Sequence, residues 1–149
     1  MRAVVQRVTR AKVTVDGLTV GEIGPGLLVL LGVARDDEKS AVDYLVNKIV
    51  SLRVFDDEQG NMNRSLREVA GSMLVVSQFT LYGDVRRGLR PSWFDAATPE
   101  VAEPLYEYFL TQTRERLSQV QSGKFGAMMQ VELVNDGPVT ILLDSRKQF

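Results

Sequence analysis

Two short segments and one basic loop hold most of the side chains that could do chemistry. Ser77-Gln78-Phe79-Thr80-Leu81-Tyr82-Gly83-Asp84 brings hydroxyl, amide and hydroxyl together where the apolar run Met73-Leu74-Val75-Val76 ends. A strand end of this kind can carry a site, and it can equally be closed by turn-capping polar groups. Asn135-Asp136-Gly137-Pro138-Val139-Thr140 reads first as a hairpin loop. Its Gly-Pro bond is compatible with a cis peptide, which would aim two carbonyl oxygens at one point and form a rigid backbone wedge. Arg86-Arg87-Gly88-Leu89-Arg90-Pro91-Ser92-Trp93 could meet phosphates, with Trp93 stacking or anchoring the loop, although a solvated charge run looks the same.

Composition narrows the chemistry further. The chain has 0 histidines and 0 cysteines. A Ser-His-Asp triad, a thiol nucleophile, a disulfide framework and a Cys/His zinc site are therefore impossible. Thr80 has no imidazole to activate it, and a hydroxyl at its free pKa is a weak nucleophile. An all-oxygen metal site remains open in principle, with Asp84, Asp136 and Asp144 the candidates for a small-ester hydrolase. Asp56-Asp57-Glu58-Gln59-Gly60-Asn61-Met62-Asn63 lacks the ligand spacing and terminal glutamate of a calcium loop and is expected to be a polar turn. No metal or cofactor is expected. A formal net charge of -1 excludes nucleic-acid binding by bulk positive charge, so any RNA contact must be local or made to a single-stranded end. The N-terminus lacks the pattern of a signal peptide. The most apolar run, Leu27 to Ala34, is far short of the roughly 20 residues a membrane helix needs, so a cytoplasmic location is expected.

The elements that must position these residues are legible in outline. A chain of 149 residues without linker, repeat or low-complexity segment predicts one domain spanning 1–149. Alternation in Lys12–Val20 around Asp16-Gly17 predicts a tight hairpin, and Gly24-Pro25-Gly26 precedes a buried strand from Leu27. Val42, Leu45, Val46, Ile49 and Val50 make one stripe of a helix over Ser40–Leu52. A second helix is expected to open at Thr98-Pro99, with a stripe of Val101, Leu105, Tyr108, Phe109, Leu117 and Val120, and to end at Ser122-Gly123. Ala127–Val134 and Val139–Asp144 suggest a final hairpin turning at Asn135–Pro138. Strands flanking isolated helices predict an α+β fold with a mostly antiparallel or mixed sheet.

Taken in order, Met1-Arg2-Ala3-Val4-Val5-Gln6-Arg7-Val8, Ser77–Asp84, Arg90-Pro91-Ser92, Gly123-Lys124-Phe125-Gly126-Ala127 and Asn135–Thr140 closely resemble the D-aminoacyl-tRNA deacylase family. The resemblance runs over essentially the whole chain. It implies a barrel-like α+β homodimer with active sites at the subunit interface. The reaction it implies is ester hydrolysis at the tRNA 3′ end carrying a D-amino acid or glycine, a proofreading step in translation. By that resemblance Ser77, Gln78, Phe79 and Thr80 line the pocket, and Gly137-Pro138 enters it in the cis form from the partner subunit to reject L-amino acids. Arg7 would help hold this filter across the interface. Phe125 and Met129 would help line a pocket for the terminal adenosine, and Asn135 and Thr140 would support the second motif. Trp93 stands where the family leads one to expect phenylalanine. The missing histidine then fits an RNA-assisted hydrolysis, with oxyanion stabilisation by backbone N–H groups near Gln78 and Phe79 and Thr80 positioning the ester. Alternatives are Thr80 as a covalent nucleophile, and a non-catalytic tRNA-end or DNA-binding module of the same fold.

Overall fold

A computed structural model describes residues 1–149. Strand β1 (Arg2–Val15) turns at Asp16-Gly17 into β2 (Leu18–Ile23), with φ of 49° and 78° at the two turn residues, as the Asp-Gly signal predicts. After the Gly24-Pro25 break, β3 (Gly26–Gly32) continues along the same edge of β1. Helix α1 (Lys39–Val50) buries the five stripe residues Val42, Leu45, Val46, Ile49 and Val50. A small hairpin of β4 (Phe55–Asp56) and β5 (Met62–Arg64) holds the calcium-like segment. There the Asp57 carboxylate accepts the N–H groups of Gln59 and Asn61, so the segment is a polar turn. Strand β6 (Ser72–Ser77) precedes a 3-10 turn at Phe79–Tyr82. Helix α2 (Pro99–Arg114), β7 (Val120–Ser122) and β8 (Gln130–Asp144) complete the chain.

The sheet is mixed: β1 pairs antiparallel with β2, β3 and β8, whereas β3–β6 and β6–β7 are parallel. The inner parallel strands read as continuous apolar runs because both their faces are covered. Leu27, Val29, Leu31, Met73 and Val75 face a cluster built with the two helices. Leu28, Leu74 and Val76 face a second cluster with Val8, Ala11, Val13 and Ile23. The sheet curls to enclose that second cluster, bringing β2 against β7. A Cβ on Gly21 would lie 2.6 Å from the Ser122 carbonyl oxygen, which is why glycine stands there. The result is the barrel-like α+β fold expected.

Three sequence expectations are corrected. Helix α2 ends at Arg114, not at Ser122, because Val120–Ser122 extends the parallel ladder of β6 and satisfies its open backbone edge. Its buried face is Ala102, Tyr106, Phe109, Leu110 and Thr113, so the expected stripe shares only Phe109 with it. The final hairpin does not exist. Ala127–Val134 and Val139–Asp144 were expected to pair with each other, yet both halves run antiparallel to β1 within one strand. Strand β1 is long enough to serve both halves, so Asp136–Val139 bulges out of β8 between the pairs Val8–Asn135 and Gln6–Thr140.

Tyr106 joins helix to sheet: its hydroxyl donates to the Val75 carbonyl at 3.0 Å, and burial pushes its pKa up to about 12. The Val75 oxygen also accepts the Gly123 N–H at 2.9 Å, so one partner remains when the hydroxyl is removed. Tyr106→Phe is therefore expected to cost only about 1 kcal/mol in denaturant unfolding.

Candidate active site

The first motif leaves the sheet in the middle of the molecule. Gln78 N–H donates to the Leu31 carbonyl at 2.8 Å, extending the β3–β6 ladder by one rung. The chain then tightens into the 3-10 turn at Phe79. This corrects one expectation: the Gln78 N–H is taken by the sheet and cannot serve an oxyanion. The amides that begin a 3-10 turn have no partner within it, which leaves Phe79 and Thr80 N–H as the donors the turn supplies. The Gln78 side-chain nitrogen donates to Thr80 Oγ1.

Beside this turn lies a mostly apolar cleft of about 620 Å³. Ser77, Gln78 and Phe79 line it together with Phe125 and Met129, so five of the residues expected at the pocket meet there. Thr80 sits exposed next to them. Phe79 packs edge-on against Trp93 with ring centroids 5.2 Å apart, and the two rings form one wall. Phe125 is backed by Tyr106 at 5.7 Å between centroids. The sequence reading missed Val33, just past the end of β3, and Thr98-Pro99 at the start of α2, which also line the cleft. The Thr-Pro helix start was visible; its neighbourhood was not, because it depends on how α2 crosses the sheet.

The second motif lies elsewhere. Gly137-Pro138, whose peptide is cis, forms the exposed crest of the β8 bulge. Three supporting residues gather beneath it. Asn135 Nδ2 donates to the Arg7 carbonyl at 2.8 Å and to the Val139 carbonyl at 3.1 Å, closing the base of the bulge. Thr140 Oγ1 lies 3.5 Å from Asn135 Oδ1 and accepts from Gln6 at 3.3 Å. Arg7 is 8% exposed. Its guanidinium donates to the Val54 carbonyl at 2.6 Å and the Asp136 carbonyl at 3.3 Å. It also pairs with the carboxylates of Asp136 and Asp56 at 3.2 and 3.4 Å. Arg7 thus braces the bulge of its own chain.

The two motifs do not meet within one chain. From Ser77 to the bulge the path crosses β6, β3, β1 and β8, three strand spacings or roughly 14 Å. Ser77 pairs with Leu31 and Arg7 with Leu27, which adds roughly 13 Å along the strands.

The acidic candidates are not assembled into a cluster of three or more. Asp84 is held by Arg86 at 2.7 Å, Asp136 by Arg7 at 3.2 Å and Asp144 by Arg2 at 3.2 Å. No helix is long and apolar enough to cross a membrane.

The mixed, curled sheet thus carries an apolar cleft edged by amide and hydroxyl groups, with no acid–base pair of side chains among the residues that line it. The model of the D-Tyr-tRNA(Tyr) deacylase family matches residues 4–144. A curated relative from Symbiobacterium thermophilum named D-aminoacyl-tRNA deacylase is 61% identical over 149 residues, covering 100% of this chain and 99% of that protein. One of the same name from Clostridioides difficile is 58% identical and is covered over 100% of both chains. A solved structure titled c-Myc DNA Unwinding Element Binding Protein superimposes with a TM-score of 0.92 at 47% identity, over 97% of this chain and 98% of that one. Another, titled as a probable eukaryotic D-amino acid tRNA deacylase, shares the fold with a TM-score of 0.81 at 20% identity, over 95% and 97% of the two chains. The chain belongs to the D-Tyr-tRNA(Tyr) deacylase family.

Proposed function

We propose that the protein hydrolyses the ester of D-aminoacyl-tRNA, and of mischarged glycyl-tRNA, releasing the amino acid and free tRNA in the cytoplasm. Water adds to the ester carbonyl, the bond to the terminal ribose oxygen breaks, and that oxygen regains a proton. The ribose hydroxyl next to the ester assists this step, and the N–H groups of Phe79 and Thr80 receive the developing oxyanion. The terminal adenosine packs against Phe125 and Met129. A homodimer completes the site: one subunit's Gly137-Pro138 crest enters the partner's cleft and leaves no room for an L side chain. Glycine and D-amino acids fit. The outer edge of β8, unpaired over 15 residues, and the separation of the two motifs within one chain support this assembly.

The observation that carries the mechanism is the environment of Thr80. The group on its hydroxyl is the Gln78 carboxamide, and an amide cannot take up a proton at neutral pH. This supports Thr80 as a positioning group over Thr80 as a nucleophile. Thr80→Val is expected to keep kcat/KM on D-Tyr-tRNA within about threefold, whereas loss of a true nucleophile costs about 10⁴-fold or more. A loss of that size would overturn the scheme. The DNA-directed title of one structural neighbour favours a second reading, a non-catalytic nucleic-acid-binding module. The net charge of -1 argues against it, and wild-type turnover of D-Tyr-tRNA separates the two.

A further inference from the structure

Arg86, Arg87 and Arg90 ride on a loop that the proposed reaction leaves unused. Its base is fixed, since Asp84 and Ser92 exchange two backbone hydrogen bonds of 2.9 Å. The three arginines are not equivalent. Arg86 grips both oxygens of Asp84 at 2.9 and 2.7 Å, and this pairing holds the Asp84 carboxyl well below the usual carboxylate range. Arg87 and Arg90 are exposed and make no ion pair. A fourth guanidinium, Arg35, lies over the exposed ring of Phe94 at 4.1 Å, and the Arg35 N–H donates to the Asp95 carbonyl at 3.1 Å. Arg86, Arg87, Arg90 and Phe94 line a shallow depression of about 670 Å³ with Asp84 and Asp95. Three guanidiniums line it with two carboxylates, one already neutralised by Arg86, and Arg35 lies beside it over the Phe94 ring. On a chain whose net charge is -1, this is a local excess of positive charge.

Its location gives the excess a purpose. The loop runs directly into Trp93, the wall of the cleft, and Arg90 lies at most about 10 Å of chain from it. An RNA strand whose last nucleotide occupies the cleft must bring its preceding phosphates past this rim. Guanidinium forks match phosphate oxygens, and the Phe94 ring offers a face on which a base can stack. We infer that Arg87 and Arg90, backed by Arg35, bind phosphates of the RNA strand leading into the cleft and so position the acceptor end. This rests on the deacylase reading of the neighbouring cleft.

The test compares wild type with the Arg87→Ala/Arg90→Ala double variant on three substrates. The first is an uncharged acceptor-stem RNA hairpin with a single-stranded 3′ end, titrated by fluorescence anisotropy at several salt concentrations. Its Kd is expected to rise about tenfold in the variant. The slope of log K against log salt is expected to become shallower by about 1.4, or about 0.7 for each lost contact. The second substrate is D-aminoacyl-tRNA, for which KM is expected to rise while kcat holds. The third is D-aminoacyl-adenosine, which has no phosphate and should be hydrolysed as by wild type. Arg87→Lys/Arg90→Lys is expected to recover the salt slope, since the charge is kept. Unchanged RNA affinity and slope would overturn the inference, and so would an equal loss on D-aminoacyl-adenosine, which would mark the loop as structural. If wild type cleaved neither ester, the deacylase reading would fall, and the anisotropy arm would still decide whether the arginines bind RNA.

Discussion

A D-aminoacyl-tRNA ending in 2′-deoxyadenosine, esterified at the 3′ oxygen, is expected to be hydrolysed at least ~10³-fold more slowly than the ribose substrate. A neighbouring group held beside a carbonyl can supply ~7–11 kcal/mol, so a loss of this size takes only part of what positioning provides. The expectation follows from what the cleft lacks. Ser77, Gln78 and Phe79 bring hydroxyl, amide and aromatic groups, and Phe125 and Met129 bring apolar surface. No carboxylate lines the cleft, and the nearby Asp84 is bound to Arg86. No side chain lining the cleft can take up the proton of the attacking water. The ribose hydroxyl is the group the substrate itself holds beside the ester, where it can orient that water and relay its proton to the departing ribose oxygen. Single-turnover rates on the two substrates, with Kd measured separately, check it. Equal rates would require a base within the protein that the geometry does not supply.

Gly137→Ala is expected to lower stability by about 2–4 kcal/mol and to erode discrimination between D- and L-aminoacyl-tRNA. Gly137 has φ of 120°, a conformation closed to most L residues. The added methyl would lie 2.7 Å from Arg7 Nη2 and 2.9 Å from Val139 Cγ2. Arg7 cannot simply recoil, because its guanidinium is buried and held by Val54, Asp56 and Asp136. The bulge must shift instead, and the crest proposed to enter the partner's cleft moves with it. Urea unfolding reads the stability term. Parallel assays on D-Tyr-tRNA and L-Tyr-tRNA read the selectivity, and an unchanged ratio would dissociate Gly137 from stereochemical choice.

Local signals in the sequence were reliable where the structure is local. Asp16-Gly17 made its turn, and the α1 stripe packed as its spacing required, because each depends on residues a few positions apart. The errors arose where distant strands decide. Val120 fits a helical stripe, yet the open edge of β6 claims it. Asn135–Pro138 has the composition of a hairpin turn, yet both flanking segments find the same partner in β1. The candidate site divides in the same way. Its residues were nameable through the family motifs, and Arg7, Asn135 and Thr140 do gather under the Gly-Pro crest. That Gln78's amide is already engaged, and that Val54 supplies the carbonyl for Arg7, follows only from strand pairing and loop packing.

The brace beneath the crest has a thermal consequence. Arg7 ties the bulge on β8 to the Val54 carbonyl beside α1, and its own strand supplies Ala3 and Val5 to the main apolar cluster. Loosening the crest on warming is expected to require breaking the buried Arg7 contacts that tie it to the body, which couples its opening to that of the fold. On the proposed reading, stereochemical fidelity is then a property of the whole fold. It would stay level as temperature rises and disappear only when the protein melts.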